Sequence, residues 1–151
     1  MLTHRFNNRG FTLIEILLVL AILGIIAAWA VPNYFKQSKN AMHDAAKAEI
    51  EAGLSTALDL YQLDNGRYPS TAQGLQALIT EPTGSPAPKN WRGPYFKKKK
   101  MVPKDPWKND YVYVSPGTHN TDEYDLYSLG PDGIESSDDI VNWDQSGPAN
   151  Q

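Results

Sequence analysis

The sequence contains no cysteine and only three histidines among its 151 residues. No disulfide can stabilise the fold, and no thiol can act as a nucleophile. The histidines are scattered, since His4 lies near the N-terminus, His43 in a predicted helix and His119 in a predicted turn. The sequence therefore shows neither a Ser, His and Asp arrangement for nucleophilic catalysis nor a phosphate-binding loop. We predict that the protein is not an enzyme.

The chain also lacks a strong excess of charge of either sign. Its 14 lysines and arginines are outnumbered by 17 aspartates and glutamates, which gives a formal net charge of -3. This balance does not suggest a nucleic-acid partner. The most conspicuous block of like charge is Lys97–Lys100. Contact with nucleic acid or anionic lipid is one interpretation of it, but the acidic chain favours a solvated basic edge that faces acids elsewhere.

What the chain does have is one long apolar run. Residues 11–31 are apolar or small except for Thr12 and Glu15. As a helix, these residues would span about 31 Å, which is close to the hydrocarbon thickness of a bilayer. A carboxylate in hydrocarbon costs about 3 kcal/mol. Glu15 is therefore expected to have a cationic partner, and the alternative is an acid near the end of a plain membrane anchor.

A polar segment, residues 1–10, precedes the run and carries two arginines and no acid. The positive-inside tendency predicts that it stays in the cytoplasm and that the C-terminal bulk lies outside. An ordinary signal peptide is cleaved after its apolar run, but no A-x-A-like site follows this run before Pro32. A cut between Gly10 and Phe11 is the alternative, and it would take the formal charge from -3 to -5 before the new amine is counted.

The hexapeptide GFTLIE at residues 10–15, with Pro32 after the apolar run, resembles the processing motif of type IV pilins and type II secretion pseudopilins. The resemblance implies that a prepilin peptidase cuts after Gly10 and N-methylates Phe11. It also implies that Glu15 neutralises the new terminal amine within a filament and helps to set the subunit register. The physical argument agrees, because a buried carboxylate becomes tolerable when a cation is brought to it.

Beyond the apolar run, the sequence predicts that the same helix continues with one apolar face. Pro32 should bend or loosen the helix, and Asn65-Gly66 should end it. The domain plan is then a leader at 1–10, a membrane segment at 11–31, an amphipathic continuation at 32–66 and a head at 67–151. The apolar face recurs at steps of four and three residues through Met42, Ala46, Ile50, Leu54, Leu58 and Tyr61.

The head shows short elements separated by turns. A helix is predicted after a cap at Ser70 or Thr71, with Gln73 completing a capping box. Its stripe of Leu75, Leu78 and Ile79 is expected to pack on the long helix. Alternation predicts strands at 111–114 and 123–130, with a turn at 105–107 before them. The fold class is therefore α+β, with a long helix packed against a small antiparallel sheet.

Three segments of the head, YPSTAQGLQAL, DPWKNDYVYVSPG and DLYSLGPDG, resemble the major pseudopilins of type II secretion, the general secretion pathway protein G family. With the N-terminus, the similarity covers most of residues 10–143. It implies a type IV pilin-like fold and a major structural subunit that polymerises into a helical periplasmic filament, the pseudopilus. The resemblance also implies that this filament would help to drive folded proteins across the outer membrane.

The same resemblance implies partners and a location. The partners are further copies of the chain, minor pseudopilins, the prepilin peptidase, membrane lipid and, indirectly, an inner-membrane assembly platform and a cytoplasmic ATPase. The chain would cross the bacterial inner membrane once, with its head in the periplasm. Two alternatives stay open, a type IV pilin for adhesion or motility and a membrane-tethered calcium-binding module that never polymerises. The missing cysteines favour a pseudopilin, because many type IV pilins close a C-terminal loop with a disulfide.

An acidic segment follows the second predicted strand. Three aspartates fall within eight residues, and Gly133 permits a tight turn between them. Oxygen donors suit calcium, although the spacing does not fit an EF-hand and the residues alone favour a solvated acidic turn. The resemblance implies a calcium site that takes the place of the missing disulfide. Its ligands would be side chains of Asp132, Ser136, Asp138 and Asp139 and backbone oxygens of Leu129 and Ile134.

Assembly into a filament would bring the basic run at 97–100 close to acidic residues of a neighbouring subunit. We predict a salt bridge between Lys97 or Lys98 of one subunit and Asp59 of its neighbour. This prediction completes the candidate assembly residues, together with Glu15.

Overall fold

The computed structural model describes residues 11–96 and 101–144. The predicted leader, the lysine run at 97–100 and the C-terminal tail lie outside the described residues. The chain divides into two compact units between Asn40 and Ala41. The elements are α1 (Leu13–Ala48), a π-helical stretch (Glu49–Leu54), α2 (Ser55–Asn65), a 3-10 turn (Leu75–Leu78), β1 (Val112–Val114), β2 (Asp125–Ser128) and β3 (Ile140–Val141). The predicted α+β class is confirmed.

The first unit contains the apolar part of α1. The helix begins after Thr12, whose Oγ1 accepts a hydrogen bond from the Glu15 N–H at 3.3 Å, and it runs through Pro32. Among the described residues, one helical span, Leu13–Asn65, is long and apolar enough to cross a membrane. Its most apolar window has a mean hydropathy of 2.7 and no buried residue. Residues 11–31 thus present apolar side chains on every side, as a membrane segment does.

The second unit is built around the end of the helix. From Ala46 to Tyr61 the predicted apolar face is buried, whereas Met42, at its start, is 38% exposed. In a regular α-helix each step of four residues rotates the apolar face by about 40°. The wider π-helical stretch Glu49–Leu54, where the Ser55 hydroxyl donates to the Ile50 carbonyl at 2.7 Å, offsets this rotation. The face therefore stays directed at the core.

The predicted capping box is present at Ser70. The Gln73 N–H donates to Ser70 Oγ at 3.3 Å, and the Ser70 N–H donates to Gln73 Oε1 at 2.9 Å. The predicted helix, however, is reduced to a turn and the 3-10 segment Leu75–Leu78, because Gly74 has a φ of 58° and interrupts the helical path. Both leucines of that segment are buried, while Ile79 is half-buried.

Three antiparallel strands form the sheet, in the order β1-β2-β3. Tyr113 of β1 pairs with Leu126 of β2, and Ser128 of β2 pairs with Ile140 of β3. The sequence predicted β1 and β2, each slightly too long, and missed β3, which at two residues is too short to show an alternation. The sheet packs on the buried helical face. Because β2 and β3 are neighbours, residues 129–139 form the connection between adjacent strands.

Candidate functional site

The candidate N-terminal site is open to solvent in the single chain. Phe11 is 79% exposed, and Glu15 lies exposed in the first turn of α1. Thr12 caps that turn. The Thr-x-x-Glu spacing in the sequence is typical of such a cap, but we did not predict it. Gly10 lies outside the described residues. Phe11 and Glu15 are therefore both accessible to another chain.

Asp59 of α2 is also exposed. Its Oδ1 accepts a hydrogen bond from the Tyr68 hydroxyl at 3.1 Å. Burial raises the pKa of Tyr68, and the bond to Asp59 raises that pKa further, so the tyrosine stays a donor. Lys97 and Lys98 lie outside the described residues. The salt bridge between subunits stays a prediction.

The connection between β2 and β3 brings several predicted calcium ligands together. Ser136 contacts two of the carboxylates, since its hydroxyl donates to Asp138 Oδ1 and its N–H donates to Asp139 Oδ2, the latter at 3.2 Å. Asp132 engages its own neighbour, with Oδ1 accepting from the Ile134 N–H at 3.2 Å. Ser136, Asp138 and Asp139 thus form a group, while Asp132 closes a local turn.

The charge of Asp139 is poorly compensated by protein groups. The residue is 8% exposed, and its Oδ1 is buried with no hydrogen-bond partner in the described chain. Burial raises the pKa of this carboxyl, and the negative charges of Asp138, Asp132 and Glu135 add to the increase, against a lowering by the Ser136 N–H. A cation at this position would relieve both the desolvation and the repulsion.

The donor set fits a hard cation by type. Carboxylate, hydroxyl and carbonyl oxygens are the ligands that calcium takes, and a buried oxygen without a partner calls for one. As the described residues are placed, no three acidic or histidine side chains are close enough to hold a metal ion. The roles of the Leu129 and Ile134 carbonyls stay predictions. Asp139 Oδ1 is the observation in favour of the site.

A turn before β1 contacts the connection between β2 and β3. The sequence predicted the turn but not this contact. Asp105 is 2% exposed, and its Oδ1 accepts from the N–H groups of Trp107 and Asn109 at 3.0 and 2.7 Å. Its Oδ2 accepts from the Ser128 hydroxyl at 2.6 Å. The Asn109 side chain in turn donates to the Gly130 carbonyl at 2.9 Å. An Asp-Pro pair indicates a turn, but only the fold shows what the turn holds.

A second cluster in the head is also absent from the sequence predictions. The buried Asp125 accepts hydrogen bonds from the N–H groups of Thr118, His119 and Asn120 at 2.7 to 2.9 Å. His119 Nδ1 lies 3.1 Å from Asp125 Oδ2, and its ring stacks on Trp143 with a centroid distance of 4.1 Å. Burial alone would raise the pKa of Asp125, but these hydrogen bonds hold it below its ordinary value.

Comparisons with known proteins identify this architecture. The protein-family model for type II secretion system protein G matches residues 33–143, and the prokaryotic N-terminal methylation motif matches residues 5–31. The type II secretion system core protein G of Pseudomonas aeruginosa is 50% identical over 145 residues, covering 93% of this chain and 99% of that protein. The core protein G of Vibrio cholerae is 48% identical over 142 residues, covering 91% and 92%.

A solved structure agrees with the relatives. The crystal structure of the major pseudopilin from the type 2 secretion system of enterohaemorrhagic Escherichia coli is 40% identical, with a TM-score of 0.64. The match covers 74% of this chain and 95% of that chain. A family of structural secretion components, rather than of enzymes, is thereby matched along most of the sequence. With its methylation motif, its long apolar helix and its small antiparallel head, this chain belongs to the type II secretion system protein G family, that of the major pseudopilins.

Proposed function

We propose that the processed chain polymerises into a helical periplasmic pseudopilus that helps to drive folded proteins across the outer membrane. The observation that carries the proposal is the combination of the family match with a helix whose apolar residues 11–31 are exposed on all sides. As the segments leave the bilayer, packing them against one another would keep a large apolar surface out of water. Head-to-tail contacts that do not close would extend such packing into a filament.

Processing would begin at the methylation motif. The prepilin peptidase would cut between Gly10 and Phe11 and methylate the Phe11 amine, and Glu15 would neutralise that amine within the filament. The chain would cross the inner membrane once, with the head in the periplasm. Minor pseudopilins would join the same filament. A cytoplasmic ATPase would act indirectly, through an inner-membrane assembly platform, because a chain with no phosphate-binding loop in its sequence needs an external energy source.

The head would bind calcium at the connection between β2 and β3. The side chains of Asp132, Ser136, Asp138 and Asp139, with the carbonyls of Leu129 and Ile134, would hold it. Bound calcium would supply positive charge to a segment whose carboxylates repel one another. The buried Asp139 Oδ1, which has no hydrogen-bond partner among residues 11–96 and 101–144, supports this proposal.

Glu15 provides the test of the assembly proposal. We expect Glu15→Ala in the full chain to abolish filaments and secretion, because the terminal amine would stay uncompensated inside the filament. Filaments would be counted by electron microscopy and secretion by assay of an exported protein. Mass spectrometry would establish that the variant is still cleaved and methylated.

Thr12→Val is the matched control. It removes the hydrogen bond from the Glu15 N–H to the Thr12 hydroxyl but keeps the Glu15 carboxylate, so a processed Thr12→Val chain should still assemble. If processed Glu15→Ala supports normal secretion, the filament proposal is wrong and a non-polymerising tether is favoured.

A further inference from the structure

We propose that the turn Asp105–Asn109 positions the calcium loop without supplying a ligand. The calcium loop is defined here as residues 129–139, and the inference rests on the calcium site proposed above. The contact point is Gly130, at the start of the loop. Asn109 Nδ2 donates to the Gly130 carbonyl at 2.9 Å, and the Gly130 N–H donates to Ser128 Oγ at 3.1 Å. Side chains therefore hold both backbone polar groups of this glycine.

The turn itself is tied down by several hydrogen bonds. Asp105 Oδ1 accepts from the Trp107 and Asn109 N–H groups, and the Asp105 N–H donates to the Asn109 carbonyl at 3.0 Å. The Lys108 N–H also donates to the Asp105 carbonyl at 3.0 Å, and Lys108 adopts a left-handed φ of 78°. The backbone of Asn109 is thus fixed before its side chain reaches the loop.

Asp105 adds a second link to the loop. Its Oδ2 accepts from the Ser128 hydroxyl at 2.6 Å, and the same Ser128 oxygen accepts from the Gly130 N–H. Asp105 and Ser128 are 2% and 0% exposed, so water does not compete for these hydrogen bonds. One buried carboxylate therefore orients the turn through Oδ1 and the start of the loop through Oδ2.

Gly130 transmits this position to the ligands. It has a φ of 66°, and a Cβ built on it would lie 3.4 Å from the Asp138 carbonyl oxygen and 3.6 Å from Asp138 Oδ2. Farther along the loop, a Cβ on Gly133 would lie 3.7 Å from Asn109 Oδ1. The Gly130 backbone thus packs beside a proposed ligand, and Asn109 adjoins both glycines of the loop. Releasing Gly130 would let the Asp138 side of the site move.

Such support is expected to affect calcium affinity more than overall stability. Groups that orient metal ligands from behind change metal affinity by about 10- to 100-fold when they are removed. The reason is that a loosened loop must be ordered when the ion binds. We therefore expect calcium affinity to fall by more than the loss of one hydrogen bond would explain.

The experiment compares Asn109→Ala with Asn120→Ala in the full chain in neutral detergent micelles. Asn120 Nδ2 donates to the Tyr124 carbonyl at 3.1 Å, outside the calcium loop, so each variant removes one bond from a side-chain amide to a carbonyl. Calcium alone is titrated by calorimetry, and thermal unfolding is followed with chelator and with saturating calcium. We expect Asn109→Ala to bind calcium 10- to 100-fold more weakly, and Asn120→Ala to bind it like the unaltered chain.

Two further variants complete the design. Asp139→Asn should abolish the calcium response, because it removes the charge of a proposed ligand. Asn109→Leu keeps the size of the side chain, so it replaces Asn109→Ala if that variant does not fold. A calcium response in the unaltered chain that both Asn109 variants retain in full would overturn this inference alone. Absence of any calcium response in the unaltered chain would overturn the calcium site and this inference together, and would leave the filament proposal standing.

Discussion

At the scale of single residues, three aspartates among the described part of the chain are buried, and their charges are accommodated in two different ways. Asp105 and Asp125 accept hydrogen bonds on both carboxylate oxygens. Asp139 has one oxygen without a partner. Charge-assisted hydrogen bonds stabilise a buried carboxylate, whereas an unpaired one costs free energy. The first two residues are thus structural, and the third is the one that calls for a cation.

Asp125 gives a prediction about pH. Its pKa is lowered in the folded state despite burial. The stability that it provides is therefore fully present above the pKa of aspartate in the unfolded chain, about 3.9, and is lost as the pH falls from there through the lower pKa of the folded state. We expect Asp125→Asn to lower the free energy of unfolding by about 2 kcal/mol at pH 7, and by less at pH 3. Urea unfolding at both pH values measures the difference.

The exposed Asp122 of the same segment is the control, and Asp122→Asn should change stability little at either pH. An equal loss for Asp125→Asn at pH 7 and pH 3 would show that the hydrogen bonds do not depend on its charge.

At the scale of elements, the ends and turns of helices follow local signals closely. Gly66 ends α2 with a φ of 73°, and its N–H donates to the Gln62 carbonyl at 2.7 Å. The Asn-Gly pair and the Ser70 capping box were both predicted from a few neighbouring residues. The π-helical stretch was not predicted. Apolar residues at every fourth position fit a regular α-helix whose apolar face rotates about the axis, and they also fit a helix in which a π-helical stretch offsets that rotation. Packing against the core decides between the two.

Gly66→Ala tests the helix end. A Cβ at Gly66 would meet no atom within 4 Å, so its cost comes from the left-handed backbone alone, about 1 kcal/mol. Gly84 has equally open space and no left-handed φ. We expect Gly66→Ala to lower the free energy of unfolding by that amount in urea, Gly66→Asn to cost less, and Gly84→Ala to change it little. Equal effects of the two alanine substitutions would contradict this account of the helix end.

At the scale of the whole molecule, the chain joins an apolar membrane segment to a head built on its own core. That division suits a subunit that is stored in a bilayer and assembles by its apolar segment. In the proposed filament, the exposed charges of the head, rather than its core, are the groups that another copy of the chain would meet.

The predicted pairing of Asp59 with Lys97 or Lys98 of a neighbour belongs to this scale. We expect Asp59→Lys to weaken filaments, Lys97→Asp with Lys98→Asp to weaken them as well, and the combination to restore them. The reason is that the reversed charges attract again across the interface. Filament mass recovered by sedimentation is the measurement.

Asp59→Lys also removes the hydrogen bond from Tyr68. Tyr68→Phe removes that bond and leaves the charge, so it should not affect assembly. A combined variant that assembles no better than either single reversal would show that these residues do not pair.

Features that a few contiguous residues encode could be predicted without any tertiary contact. These are the GFTLIE motif, the apolar run, the buried helical face, the Ser70 cap and the Gly66 stop. The GFTLIE motif and the three similar segments of the head identified the family before any contact was known. The tertiary structure decided the third strand, the burial of Asp139 and the links from Asp105 and Asn109 to Ser128 and Gly130. Such contacts join residues some twenty positions apart, so they depend on the path of the chain rather than on local pattern.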